Sequence, residues 1–238
     1  GSQDFTQLSK IFSGISFGLN GKKIAVQNDS ENFSTDQVSF DFALSDINKE
    51  FAVANLAYQH QNLKAPKADI PAEFFPFNVG VKASVERLPL VRFLGTYLLD
   101  TGNAPDQNPD PYAGDAISLL LAELSQAGTV LNLKDGLVEM AVSSYNYSGK
   151  VTANNQALFG VTAELDWLVK SFDNLAKKLV EITGKEDGPN DAQQLQAFFE
   201  SLRNFGKKGV GDEYQFHIVV GQDGKILING KNFPLFGN

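Results

Sequence analysis

FGVTAELDWLVKSFDNLAKKLVEI, residues 159–182, decides how the rest of the chain is read. Phe159, Val161, Ala163 and Leu165 alternate with Gly160, Thr162, Glu164 and Asp166, the period of a strand with one dry and one wet side. At Asp166 the period lengthens. Leu168, Phe172, Leu175 and Leu179 recur at helical spacing, and Val169, Ala176 and Val180 widen the stripe. Asp166 is the expected N-cap and Gly184 the expected stop. The same unit stands 80 residues earlier (161 − 81 = 80): Val79, Val81, Ala83 and Val85 alternate with polar neighbours, and Leu88-Pro89-Leu90 opens a helix.

Working outward, residues 4–12 read as a short helix that Gly14 ends. Ile15, Phe17 and Leu19 then alternate into an Asn20-Gly21 hairpin turn, with Ile24 and Val26 returning. Val38, Phe40, Phe42 and Leu44 alternate with Ser39, Asp41, Ala43 and Ser45. After a loop at residues 46–49, residues 51–59 form the next strand. These connections are too short for crossovers, so the strands are antiparallel neighbours. A helix after Pro89 carries Leu90, Phe93, Leu94, Tyr97 and Leu98. Asp110-Pro111 starts a second, with Ile117, Leu120, Leu121 and Leu124 as its stripe and Gly128 as its end. Segments 129–133, 137–147 and 150–154, parted by Asp135-Gly136 and Ser148-Gly149, read as a meander. Asp191-Ala-Gln-Gln194 forms a capping box ahead of Leu195, Phe198, Phe199, Leu202 and Phe205, and Tyr214, Phe216, Ile218 and Val220 turn at Asp223-Gly224 into a last strand. The expected fold is α+β: one domain over residues 1–238, its curved antiparallel sheet made of two β-meander halves, about 14–127 and 128–230, packed around amphipathic helices. Helices laid in the concave side would leave an apolar groove.

Composition narrows the function. Apolar residues make up 42%, with 19 Phe against one Trp and one Met, which suits a dry interior or an apolar ligand. A net charge of −8 repels phosphate backbones, so nucleic acid is not an expected partner. The absence of cysteine removes disulfides, thiolate catalysis and Cys-zinc sites. Gly1-Ser2 has the look of a cleavage scar, before which a signal peptide or anchor is expected.

Motifs for chemistry are sparse. Gly14-Ile-Ser16-Phe-Gly18 has the spacing of a nucleophile elbow, but an elbow needs a strand turning into a helix, and Ser16 sits in an alternating stretch. His60 and His217 are the only histidines, both expected at the surface and without ligand spacing. Asp106-x-Asn108-x-Asp110 begins like a calcium loop, then places Pro111 where Gly is needed and Ile117 where the bidentate Glu belongs. Glu86, Glu164 and Asp166 are carboxylates on wet sides of strands, with one Trp in the whole chain to serve a sugar cleft. No metal, cofactor or enzymatic activity is expected.

The units at residues 77–99 and 159–179 and the Ile226-Leu-Ile-Asn-Gly230 ending resemble exported bacterial envelope proteins of uncharacterised families and, in broad pattern, the tubular lipid-binding (TULIP) superfamily. The resemblance implies an exported, periplasmic protein that holds acyl chains in a Phe/Leu-lined groove, with transient membrane contact. The alternative is a non-enzymatic envelope module that binds a protein partner. The residues expected to line the groove are Phe93, Leu94, Tyr97, Leu120, Leu124, Trp167, Phe172, Leu175, Phe198, Phe199 and Leu202.

Overall fold

A computed structural model describes residues 12–27, 32–64, 70–90 and 114–234. The expected helices at residues 4–12 and after Pro89, with Phe93, Leu94 and Tyr97, and the acidic loop with Asp106, Asn108 and Asp110, lie outside the described residues. The fold is the α+β arrangement expected: a curved, open, antiparallel sheet of 11 strands with amphipathic helices.

Chain order is strand order. β1 (Gly14–Gln27), β2 (Asn32–Ser45), β3 (Ala52–Gln61) and β4 (Asn78–Leu88) lie side by side. Helix α1 (Gly114–Ala127) precedes β5 (Val130–Glu139), β6 (Ser144–Ala153) and β7 (Val161–Lys170). Helices α2 (Phe172–Glu186) and α3 (Pro189–Phe205) follow. The short β8 (Lys207–Lys208) pairs with β9 (Glu213–Val220), and β10 (Ile226–Ile228) and β11 (Lys231–Phe233) finish the sheet.

Three expected turns are strand interior instead. β1 runs straight through Asn20-Gly21, with Asn20 opposite Ser39 and Gly21 opposite Val38. A Cβ at Gly21 would meet the Ile24 side chain at 2.5 Å, so this glycine makes room for a neighbour in its own strand. β5 passes through Asp135-Gly136 as a bulge, Asp135 at φ 49° and the Tyr147 ring lying over Gly136. β6 passes through Ser148-Gly149. Residues 137–147 therefore are not one strand: they contain the β5–β6 turn, which Met140 N–H closes on Ser143 O at 2.9 Å.

The strand-to-helix switch of the second unit also falls later than expected. Asp166, Trp167, Leu168 and Val169 are all in β7, so Asp166 is not a cap. The chain turns at Ser171, in the left-handed region at φ 57°, and α2 starts at Phe172. Its first amides are satisfied from 39 residues away: Asp173 N–H donates to Asp212 Oδ1 at 2.9 Å and Asn174 N–H to Oδ2 at 3.4 Å. In the first unit Arg87 takes the same conformation, φ 56°, ahead of the buried Pro89. Arg87 also fastens α1. Its Nε donates to Ala127 O at 2.6 Å, at the negative end of the helix, while its guanidinium lies 4.5 Å from the Phe51 ring centroid. α1 closes at Gly128 as expected, with Thr129 N–H reaching back to Leu124 O at 2.9 Å.

Gly184 does not stop α2, which continues to Glu186. The break is Asp187-Gly188, with Gly188 at φ 109° and Pro189 in the first turn of α3. Asp191 is thus inside α3 rather than its cap. The C-terminal Asn229-Gly230 pair makes the β10–β11 hairpin with φ of 50° and 79°. Asn229 does more than turn the chain. Its Oδ1 accepts the His217 amide at 3.0 Å, and its Nδ2 donates to Phe205 O at 2.8 Å and Gln215 O at 2.9 Å, joining the end of α3 to β9. Asn229→Ala leaves three backbone groups without this partner and puts alanine in the left-handed region. A loss of about 2–4 kcal/mol is expected, read as a lower urea midpoint at unchanged slope.

Candidate functional site

Register sorts the side chains of the sheet into two sides. On one, Phe17, Phe42, Leu56, Ala83, Leu133, Gly149, Leu165, Ile218 and Ile228 follow strand by strand from β1 to β10. A parallel row runs Ile15, Leu44, Ala54, Val85, Leu131, Val151, Ala163, Val220, Ile226. On the other side the corresponding row is Ser16, Ala43, Asn55, Ser84, Asn132, Lys150, Glu164. This is the one-sided alternation of the sequence carried across the full width of the sheet.

The helices cover only part of the apolar side. α2 and α3 close over Val169, Tyr214, Phe216 and Ile228, where Phe172, Ala176 and Phe199 fill the space completely. At the β1 end the same side is open: Ile15, Phe17 and Leu19 are 58%, 57% and 65% exposed, and Leu56 is 36% exposed. The Phe17 ring centroid lies 5.5 Å from that of Phe40 and 5.6 Å from that of Phe42, so a small aromatic cluster faces outward. Among the described residues, the β1 end of the sheet has no second layer over its apolar side.

The residues expected from helical stripes divide accordingly. Phe172, Leu175 and Phe199 are buried core. Leu202, Leu120 and Leu124 are half-buried, and Phe198 projects from α3 at 48% exposure. Trp167 does stand on the apolar side, opposite Tyr147 and Phe216 and 45% exposed, but as a strand residue at the margin of the helical cluster. Among the described residues, these positions are not gathered around one groove. The apolar surface that is left open belongs to β1–β3, whose Phe17, Phe42 and Leu56 the helical stripes did not bring forward. Their strict alternation marks which side of the strand is apolar, though not that this side is open.

Three depressions of about 590, 670 and 470 Å³ are lined mostly by residues of the polar rows. The first takes in Ser16, Asp41, Asn55, Lys82, Ser84 and Lys134 together with Phe17, Phe42 and Leu56; the second takes in Ser148, Asp166, Gln215, His217 and Asn229 together with Tyr147, Trp167 and Phe216. In the second, His217 Nδ1 meets Asp166 Oδ1 at 2.9 Å, and Glu164 Oε1 stands 3.8 Å from Nε2. Ser148 lies across Asp166 from His217, in the order Ser–Asp–His. Nucleophile activation needs the imidazole between the hydroxyl and the carboxylate, so this row does not form a triad. Ser16 is extended in β1 with no helix after it. Among the described residues no three His, Asp or Glu side chains converge as metal ligands. Burial pushes the phenol of Tyr147, packed over Gly136, above its ordinary pKa. Burial does the same for the phenol of Tyr145.

His60 is not at the surface. It is 6% exposed on the apolar side, its Nδ1 2.9 Å from Tyr58 Oη and its Nε2 3.0 Å from Pro76 O. The carbonyl accepts from Nε2–H, which leaves Nδ1 to accept from the tyrosine. This histidine ties β3 to the chain leading into β4.

No protein-family model, no curated protein and no solved structure matches this chain. What fold and site define is an α+β protein built on an open antiparallel sheet, apolar on one side and polar on the other, with the apolar side at its β1 end not covered by any described element. No helix among the described residues is long and apolar enough to cross a membrane.

Proposed function

We propose that the protein binds acyl chains, as a lipid-binding or lipid-transfer protein, on the open part of the apolar side rather than between helices. The observation that carries this reading is the uncovered cross-strand ladder Phe17–Phe42–Leu56–Ala83, with Ile15 and Leu19 beside it. Such a surface offers methylenes a dry contact and offers nothing to a polar substrate. Each fully buried methylene contributes about 0.8 kcal/mol; a sixteen-carbon chain lying half-covered gains about 6 kcal/mol, a dissociation constant of tens of micromolar. The patterning shared with tubular lipid-binding proteins supports the same reading, and with it an exported, periplasmic location.

Native mass spectrometry of delipidated protein titrated with palmitate tests it. One bound palmitate that saturates is expected, together with a saturable change in Trp167 emission if the chain reaches β7. Phe42→Asp should weaken binding at least tenfold, while Phe198→Asp, on exposed α3 surface, should leave it unchanged. No bound palmitate at any concentration, or equal weakening by the two variants, would set the proposal aside.

A further inference from the structure

A sheet edge is a row of backbone amides and carbonyls awaiting a partner, and proteins usually blunt it with charge, proline or a bulge. β1 pairs only with β2; among the described residues nothing pairs its outer side. Residues 14–21 hold no charged residue and no proline. The protective features come only afterwards, with Lys22, Lys23 and the positive φ of Lys23 at 53°. The unprotected edge is therefore a defined eight-residue segment. Its side chains on the apolar side, Ile15, Phe17 and Leu19, are all more than half exposed.

We propose that residues 14–21 of β1 pair antiparallel with the same segment of a second copy of this chain, about a twofold axis at Gly18. The segment is self-complementary in this register. Phe17 meets Leu19 of the second copy, Ile15 meets Gly21, Ser16 meets Asn20 and Gly14 meets Lys22. Every pair keeps apolar side chains on one side and polar ones on the other, so the apolar rows continue unbroken from copy to copy. Phe17 would then sit between its own Phe42 and the incoming Leu19.

Charge acts on this pairing at one place. The two Lys22 residues fall at opposite ends of the paired segment, about 27 Å apart at ~3.4 Å per residue, well beyond the ~8 Å screening length at physiological salt. Each Asp41 carboxylate lies over its own Gly18 on the polar side, and the two Gly18 residues flank the axis one strand spacing apart, so the two carboxylates stand roughly 5–10 Å from each other. Their repulsion opposes association, which should therefore strengthen with added salt. The paired strands form a small interface, below about 1,200 Å², so association at micromolar and higher concentration is expected rather than a permanent dimer.

Sedimentation velocity of the full chain from about 1 to 200 µM reads the association as a shift from 25.9 kDa towards twice that mass. Leu19→Lys should remove the shift while leaving the far-UV spectrum and urea midpoint unchanged, because Leu19 is 65% exposed. The chain has no native cysteine, so register is open to disulfide trapping. The double variant Ser16→Cys/Asn20→Cys should give an oxidised dimer on a non-reducing gel, and Ser16→Cys alone should not, since two Ser16 lie four residues out of line. A monomer throughout the concentration range, or a dimer that Leu19→Lys leaves intact, overturns the proposal. Efficient trapping by Ser16→Cys alone overturns its register.

Discussion

Replacing Phe172 by alanine should cost about 3–5 kcal/mol, enough to unfold a large fraction of a protein of ordinary stability. Phe172 is 3% exposed, and its ring centroid lies 4.9 Å from Tyr214, 5.8 Å from Phe199 and 5.9 Å from Phe216. Those rings come from α3 and β9, so one side chain holds both helices on the sheet. They are fixed by backbone on different elements and have no means of collapsing together into the vacated space. Chemical denaturation of Phe172→Ala against Phe198→Ala checks this: both remove one α2 or α3 phenylalanine, but Phe198 is half exposed and should cost far less. Equal losses would mean the cluster is not the anchor.

Gly149→Ala should be nearly as damaging despite adding one carbon. Gly149 sits in β6 at φ 150°, opposite Leu133 on one side and Leu165 on the other. A Cβ there would press into the Glu164 carbonyl oxygen and stand 2.7 Å from Leu165 Cα. Backbone of a paired strand cannot step aside as a flexible side chain does. Strain in the dihedral and overpacking together come to about 3 kcal/mol or more, visible as a fall in melting temperature. Gly188→Ala makes the comparison, since its φ of 109° is unfavourable too but no atom lies within 4 Å of the added carbon. If the two variants lose equal stability, close approach is not what selects glycine at position 149.

Local patterns made much of the fold legible. Val38 to Leu44 alternates because one side of β2 meets water, and Leu195 to Phe205 keeps helical spacing because one side of α3 meets the sheet. What misled was information held by neighbours. Asn20-Gly21, Asp135-Gly136 and Ser148-Gly149 carry turn chemistry, yet each glycine serves a strand: room for Ile24, for the Tyr147 ring, for the Leu165 backbone. Val169 fits strand and helical period alike, and Leu168, though it stands on the polar side of β7 opposite Asn146 and Gln215, fits helical spacing with Phe172, so the expected switch falls five residues early; Asp212, which caps the true start, is 40 residues further on (212 − 172 = 40). The candidate site was hardest to see for the same reason. Phe17 and Phe42 read as ordinary inward strand residues, and nothing within β1 or β2 says that the layer above them is missing.

Chain order being strand order has a consequence for how the molecule comes apart. Apart from the two-residue β8, which joins β9 from the side, each strand pairs only with its neighbours along the sheet, so the sheet behaves as a linear stack held by nearest-neighbour couplings, much as in repeat proteins. Such a stack frays from its weaker terminus. At one end α2 and α3 lock β7, β9 and β10 through the phenylalanine cluster; at the other β1 has, among the described residues, a single neighbour and open apolar side chains. Local opening therefore starts at β1 and advances towards β4, leaving the C-terminal half folded as a scaffold on which the earlier strands zip back in sequence.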